Sequence, residues 1–196
     1  MNNTKEFIID EAFKLFLNHS YEAVSISDIS KAIGLTKGAL YHHFINKEEL
    51  FQSAVDKFLV LPEINVDLNS ISLYDYIGVS VSLSEKFIRT LFSSAGGFSP
   101  ISYIAFFSDA FRHYPAYAQQ TSLFFEREIE KTRIVVENAI ASGEIRNDII
   151  PSIVAVNFFS FDFGLAVNLV RSRSVEEASN LLKKQSFEFY KLLKKE

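Results

Sequence analysis

Apolar residues recur every three or four positions along most of this chain. The pattern begins with Ile8, Ala12, Leu15 and Phe16, which Ile9 and Phe13 widen into a stripe. No segment alternates with period two for long enough to make a strand. The pattern predicts an all-α fold of about nine helices, over 4–18, 26–33, 37–43, 47–60, 72–94, 100–112, 116–142, 151–171 and 175–194. Start signals support these positions. Asn3-Thr4-Lys5-Glu6, Ser25-Ile26-Ser27-Asp28, Asn46-Lys47-Glu48-Glu49 and Ser174-Val175-Glu176-Glu177 each place a capping oxygen before an acid that favours the positive helix end. Pro100, Pro115 and Pro151 open helices, and Gly143 closes one. The first three helices are short and the later ones reach 20 residues or more. That change of scale predicts a head, 1–46, and a body, 47–196, with helix 47–60 as the connector.

Composition narrows the class. At 196 residues and 48% hydrophobic, the chain can bury a sizeable core. It has no cysteine, which removes disulfides, thiolate metal sites and a cysteine nucleophile. The N-terminal stretch is charged and amphipathic and does not read as a signal peptide, so the expected location is cytoplasmic. The longest apolar run, Ile153 to Val170, contains Asn157, Asp162 and Asn168, which favour a buried helix over a membrane span. The net charge of −4 does not exclude a polyanionic partner, because charge is unevenly distributed. From Ile29 to Lys47 there is no Asp or Glu, but there are Lys31, Lys37, Lys47, His42 and His43. Screening over about 10 Å lets such a local face act on its own.

That face coincides with two short helices joined by Gly34-Leu35-Thr36. Gly34 suits a left-handed turn, Leu35 plugs the angle, and Thr36 caps the next helix. The arrangement is a helix-turn-helix, whose second helix enters the DNA major groove. Within it Leu40 and Phe44 face the core, while Lys37, Tyr41 and His42 face outward. Gly38 and Ala39 are small enough for close approach to the duplex. Adjacent helical residues point about 100° apart, so His42-His43 is a poor metal chelate.

These residues resemble the DNA-binding head of the tetracycline-repressor (TetR) family of bacterial regulators. The resemblance covers Ile8 to Leu50 and rests on five stretches: Ile8-Ile9-x-x-Ala12-x-x-Leu15-Phe16; Tyr21; Ser25-x-x-Asp28-Ile29; Gly34-Leu35-Thr36-Lys37-Gly38-x-Leu40-Tyr41-x-His43-Phe44; and Lys47-Glu48-Glu49-Leu50. It implies that Lys37, Gly38 and His42 lie nearest base edges. It implies phosphate contacts from Thr36, Tyr41, His43 and Lys47, with a second backbone contact from Ser25 and Ser27. The chain departs from the family at Ser20, usually Gly, and at Ser30, usually Ala. A left-handed Ser20 would cost roughly 1–2 kcal/mol, so the first helix is expected to end by another route.

For the body the resemblance implies only a general plan, a helical domain with an effector cavity and a dimer interface. Its own residues are rich in aromatics, among them Phe87, Phe92, Phe98, Tyr103, Phe107, Phe111 and Phe124, and then Phe158, Phe159, Phe161 and Phe163. Such rings suit a hydrophobic or aromatic small molecule, oriented by a few polar groups. The candidate effector residues are Phe92, Tyr103, Phe107, Phe111, Phe124 and Asp162, with Arg89, Asp109 and Asn157 as further polar candidates. Asp162 suits either a cationic ligand group or a pair across a dimer interface. The eighth helix is apolar nearly all round and reads as buried between two layers. The ninth carries Ala178, Leu181, Leu182, Gln185, Phe189 and Leu192 along one side. Helices 151–171 and 175–194 paired with their copies would make a homodimer.

Enzyme motifs are missing. There is no Gly-x-Ser-x-Gly, Gly96-Gly97 lacks the lysine of a phosphate loop, and no histidine has Glu three residues before it. No cofactor and no metal is expected. The expected function is a ligand-responsive regulator, more specifically a repressor, that leaves a palindromic site on double-stranded DNA when its effector binds. The alternative is a DNA-binding protein without a small-molecule effector, switched by a protein partner or acting architecturally. A cavity of several hundred cubic ångströms in the body discriminates between the two.

Overall fold

Capping side chains set many of the helix boundaries in the computed structural model, which describes residues 2–94, 99–172 and 174–195. Phe98, Gly96 and Gly97 lie outside the described residues. The described residues form nine helices: α1 (Asn2–Asn18), α2 (Ile26–Ala32), α3 (Lys37–His43), α4 (Lys47–Phe58), α5 (Leu73–Ser94), α6 (Pro100–His113), α7 (Pro115–Ala141), α8 (Pro151–Arg171) and α9 (Val175–Leu193). Ser25 and Asp28 close a reciprocal capping box on α2. Thr36, Asn46 and Ser174 accept backbone N–H groups at the starts of α3, α4 and α9. Gly34 and Gly143 take the left-handed conformation, with φ of 68° and 77°. At the N-terminus α1 already runs from Asn2, two residues ahead of the expected start at Thr4. Ser99 stands before Pro100 without a side-chain cap bond.

Ser20 avoids the left-handed conformation, as no described residue other than glycine has a positive φ. Instead α1 ends at Asn18, His19 N–H reaches back to Leu15, and Ser20 C=O accepts from Ala23 and Val24. The substitution of glycine therefore carries no backbone strain here.

The chain contacts divide into two compact units, one of Met1–Leu61 with Leu91–Gln120, the other of Pro62–Thr90 with Thr121–Glu196. In the first, Phe13 of α1 stacks on Phe58 at 3.8 Å and meets Phe106 of α6 edge-on at 5.1 Å. Phe51 of α4 lies edge-on to Phe16 at 5.1 Å and to Phe106 at 5.5 Å. Ile29, Leu40, Phe44 and Leu50 close the core of the small helices, while Ala32 is exposed rather than part of it. Lys57 pairs with both Glu6 and Asp10, pinning α4 along α1.

In the second unit, the chain between α4 and α5 is strapped along α7. Lys131 Nζ donates to Glu63, to the Ile64 carbonyl and to Glu128, and Asn138 donates to the Leu68 carbonyl. Glu144, beyond α7, accepts the first free amides of α5, at Leu73 and Tyr74, and the Tyr190 hydroxyl of α9. One carboxylate therefore caps one helix and ties another, the service that orphan amides at a helix start require. The bond from Arg146 N–H to Leu193 C=O closes the same end.

Helix α8 differs from the expectation of burial on all sides. Val154, Ala155, Phe158, Leu165 and Leu169 are buried, but Ile153, Val156, Phe163, Val167 and Val170 are among the exposed large hydrophobics. The exposed set, with Ser160, steps by three and four residues alternately and forms one stripe, roughly opposite the buried face. By length and apolar composition alone α8 could cross a membrane. Its Asp162, however, is held by serines of α5, as protein packing requires. Helix α9 also splits: Ala178 and Leu182 are buried with Ser186, Tyr190 and Leu193, whereas Leu192 is 73% exposed and Gln185 is exposed. Its predicted single stripe is thus two neighbouring faces, one turned to its own chain and one outward.

Candidate nucleic-acid interface and body residues

Local chemistry builds α3, the helix expected to read DNA. Thr36 Oγ1 accepts Ala39 N–H at 3.1 Å, which starts α3, and Leu40 and Phe44 seat it on the core with exposures of 0% and 1%. Seating at Leu40 and Phe44 turns Lys37, Gly38, Tyr41 and His42 outward, and all four are exposed. Tyr41 is 52% exposed, a large ring left uncovered by its own chain. A Cβ at Gly38 would meet only Thr36 Oγ1, at 3.9 Å, so the glycine leaves the helix surface flat without being needed for packing. His43 is half-buried. The His42 and His43 rings stand 5.5 Å apart at 75°, an edge contact rather than two nitrogens converging on one point.

The remaining predicted contacts are partly engaged within the head. Ser25 Oγ donates to Asp28 Oδ2 at 2.6 Å and accepts Asp28 N–H at 3.2 Å. The bond from the Ser25 hydroxyl, and after it the one that Ser25 N–H donates to Asp28 Oδ2 at 3.0 Å, hold the Asp28 carboxyl below its ordinary value. Ser27 is half-buried and gives its carbonyl to Ser30 Oγ. Lys47 Nζ donates to the Tyr21 carbonyl at 2.9 Å and lies 4.1 Å from the centre of the Tyr21 ring. An ammonium has three donors, so Lys47 retains two.

Tyr21 is a junction that the sequence did not announce. Its N–H donates to Asp109 Oδ2 at 2.8 Å, and its ring lies 4.7 Å from Phe51 and 4.4 Å from the His113 ring. Asp109 is buried, and its carboxylate on α6 holds the backbone of the turn between α1 and α2. Asp109 was a polar candidate for an effector; here its bond is to the head.

The predicted effector residues separate by unit. In the first, Phe92 and Tyr103 pack at 4.7 Å and the Tyr103 hydroxyl donates to the Leu91 carbonyl at 2.8 Å. Burial pushes the Tyr103 phenol up to about 12. Phe107 and Phe111 pack at 4.9 Å. In the second unit Phe124 neighbours Phe125, which meets Phe159 at 5.1 Å and Phe163 at 5.3 Å.

Asp162 also lies in the second unit. It accepts from Ser80 Oγ at 2.7 Å and Ser84 Oγ at 3.0 Å. Burial raises its carboxyl above the usual range, and the two serines offset this only in part. A raised native value means stability is fully present below the ordinary carboxylate value and is lost as pH rises through the native one. Asp162→Asn removes that loss. Its melting temperature relative to the parent should therefore rise as the pH is raised from below the ordinary carboxylate value to neutrality. A constant difference across that range in thermal melts would show that Asp162 does not titrate as its burial demands.

Two short helices joined by a tight glycine turn, the second with an exposed face free of carboxylates, define the class of the N-terminal part: a helix-turn-helix domain. The family model of bacterial regulatory proteins, tetR family, matches residues 8–54. The biofilm operon icaADBC HTH-type negative transcriptional regulator IcaR of Staphylococcus epidermidis is 40% identical over 52 residues, which is 26% of this chain and 28% of that protein. The crystal structure of MexZ, a repressor responsible for antibiotic resistance in Pseudomonas aeruginosa, superposes with a TM-score of 0.66 at 16% identity, over 97% of this chain and 96% of that one. The SmeT–triclosan complex superposes with a TM-score of 0.60 at 16% identity, covering 95% and 91%. Residues 8–54 thus match the tetR family of bacterial regulatory proteins, and the fold of the chain is that of a TetR-family transcriptional regulator from Cytophaga hutchinsonii, which superposes with a TM-score of 0.64 at 18% identity over 99% of this chain and 96% of that one. That family consists of DNA-binding transcriptional regulators, not enzymes.

Proposed function

We propose that this chain is a homodimeric, ligand-responsive transcriptional regulator, acting in the cytoplasm as a repressor released from a palindromic operator. The observation that carries the reading is the α3 face of Lys37, Gly38, Tyr41 and His42, exposed on a head without a carboxylate from Ile29 to Lys47. Lys37, Gly38 and His42 approach base edges, while Thr36, Tyr41, His43 and Lys47 approach phosphates, with Ser25 and Ser27 at the start of α2 adding a backbone contact. The exposed stripe of α8 and the outward face of α9 meet their copies across a two-fold axis. Gly164, where a Cβ would meet nothing within 4 Å, lies beside that stripe and lets a partner approach closely.

The effector is a hydrophobic or aromatic small molecule, and the candidates to hold it are Phe92, Tyr103, Phe107 and Phe111 in the first unit and, separately, Phe124 and Asp162 in the second. A neighbour in fold was solved with triclosan, an aromatic compound, which supports this class of ligand. An effector acting on α6 has two levers, the Asp109 bond to Tyr21 in the head and the ring contact of Phe106 with Phe51 in the connector α4. A coupling of about 1–3 kcal/mol through them would weaken DNA binding roughly 5–150-fold.

Two variants test the contact roles. Lys37→Ala should relax sequence preference by about 1–3 kcal/mol at one base position. Lys47→Ala should weaken all duplexes alike and lower the salt slope by about one. Titrations at several salt concentrations read both effects. An unchanged slope in Lys47→Ala would reduce Lys47 to its bond with Tyr21.

A further inference from the structure

The groove between α5 and α9, with a volume of about 660 Å³, is the feature that neither DNA reading nor dimerisation uses. We infer that it binds a small aromatic anion. This concerns residues other than the effector cluster above and stands whether or not the head reads DNA.

Three rings form its apolar wall. Tyr74 of α5 lies 5.0 Å from Phe187 and 5.6 Å from Tyr190, both of α9, and the Tyr190 hydroxyl is already committed to Glu144. The charge around the wall is positive. Lys183, Lys184, Lys191 and Lys194 line the groove against two carboxylates, Glu85 and Glu188. Both acids are engaged, Glu85 with Arg89 at 2.7 Å and Glu188 with Lys191 at 2.8 Å. Among the described residues Lys183, Lys184 and Lys194 have no ion-pair partner, and Lys194 Nζ stands 5.7 Å from the centre of the Tyr190 ring. Aromatic faces beside unpaired ammonium groups match a flat apolar body that carries a sulfonate, carboxylate or phosphate.

Gly78 supplies an independent observation. It sits within α5, where glycine costs roughly 1 kcal/mol relative to alanine. Neither a positive φ nor a close neighbour requires it, since a Cβ there would meet nothing within 4 Å. What the glycine leaves is open space in the wall of the groove, one turn from Tyr74 and Ser82. The groove also stays accessible in the dimer proposed above. At about 100° per residue, Lys183 and Phe187 lie on the far side of α9 from Leu181 and Leu192, with Lys184 at the edge between the two faces.

The test is a fluorescence titration of the full chain with 1-anilinonaphthalene-8-sulfonate and with its uncharged analogue N-phenyl-1-naphthylamine. The parent should show a saturable site for the sulfonate. Gly78→Leu fills the groove without disturbing packing, so it should melt no lower than the parent and weaken that site by at least about tenfold. The combined Lys183→Gln, Lys184→Gln and Lys194→Gln variant keeps the fold at exposed positions. It should weaken the sulfonate by about tenfold but the neutral analogue by less than about twofold. Three outcomes overturn the inference: no saturable site in the parent, undiminished sulfonate binding in Gly78→Leu, or equal effects of the lysine changes on both probes. A hexaglutamate peptide that displaces nothing is expected. If the peptide binds with Gly78 dependence while the sulfonate does not, the groove takes an acidic chain and the small-anion assignment is wrong.

Discussion

Val167→Asp is expected to turn the dimer into a folded monomer and to lower DNA affinity by more than about 100-fold. Val167 is 67% exposed, so within one chain a carboxylate at this position stays in water and the fold should not suffer. In the proposed dimer the same position falls within the stripe Ile153, Val156, Ser160, Phe163, Val167 and Val170, one step from its C-terminal end. An isologous interface would bring in two new carboxylates, one from each copy, and the only cation near either along α8 is Arg171, one turn on at the exposed end of the helix. Burying each costs several kcal/mol. Loss of the dimer also removes the linkage between heads, and with it an avidity gain of about 10²–10⁴. Sedimentation velocity and a DNA titration on the same preparation measure both effects. A variant that stays dimeric would move the interface off this face of α8.

Phe51→Ala should cost about 3–5 kcal/mol, the usual range for emptying a buried phenylalanine site. Phe51 is fully buried and touches Phe16 of α1, Tyr21 of the following turn and Phe106 of α6. These three partners cannot close the cavity together, because α1 and α4 are also pinned by Lys57 and by the stack of Phe13 on Phe58. At about 2–4 °C per kcal/mol the melting temperature should fall by roughly 10 °C. Calorimetry of the purified variant checks the figure. Near-parental melting would mean that the core of the first unit does not depend on this ring.

What was legible in the sequence was chiefly local. Ser25, Thr36, Asn46 and Ser174 cap helices through bonds that span three residues, and Gly34 and Gly143 turn the chain by their own backbone freedom. Those features fix the head, because its short helices start and stop on such signals and its core positions Leu40 and Phe44 fall on one helical face. The long-range partners carried no such mark. Asp162 stood out in an apolar run, but Ser80 and Ser84 lie on a different helix, far back in the chain. Asp109 looked like a polar group for a ligand and is a bond acceptor for Tyr21. Lys47 looked like a phosphate contact and also holds the Tyr21 carbonyl.

Helix α8 misled for a different reason. When both faces are apolar, periodicity cannot distinguish the side that meets its own chain from the side that faces outward. The alternating steps of three and four from Ile153 to Val170 were the available clue. The glycine at position 78 is invisible as a feature until the space beside it is seen.

Selection of bound duplexes from random DNA by the purified full chain asks whether α3 reads an operator. A palindrome should be enriched whose half-sites lie one helical turn or a multiple apart, about 34–36 Å per turn, with affinity that falls steeply as salt rises. Lys37→Ala, at the leading end of α3, should relax the preference at one position in each half-site. Recovery of no sequence above random duplex would contradict the reading of α3 as a recognition helix. So would an enriched site that lacks two-fold symmetry.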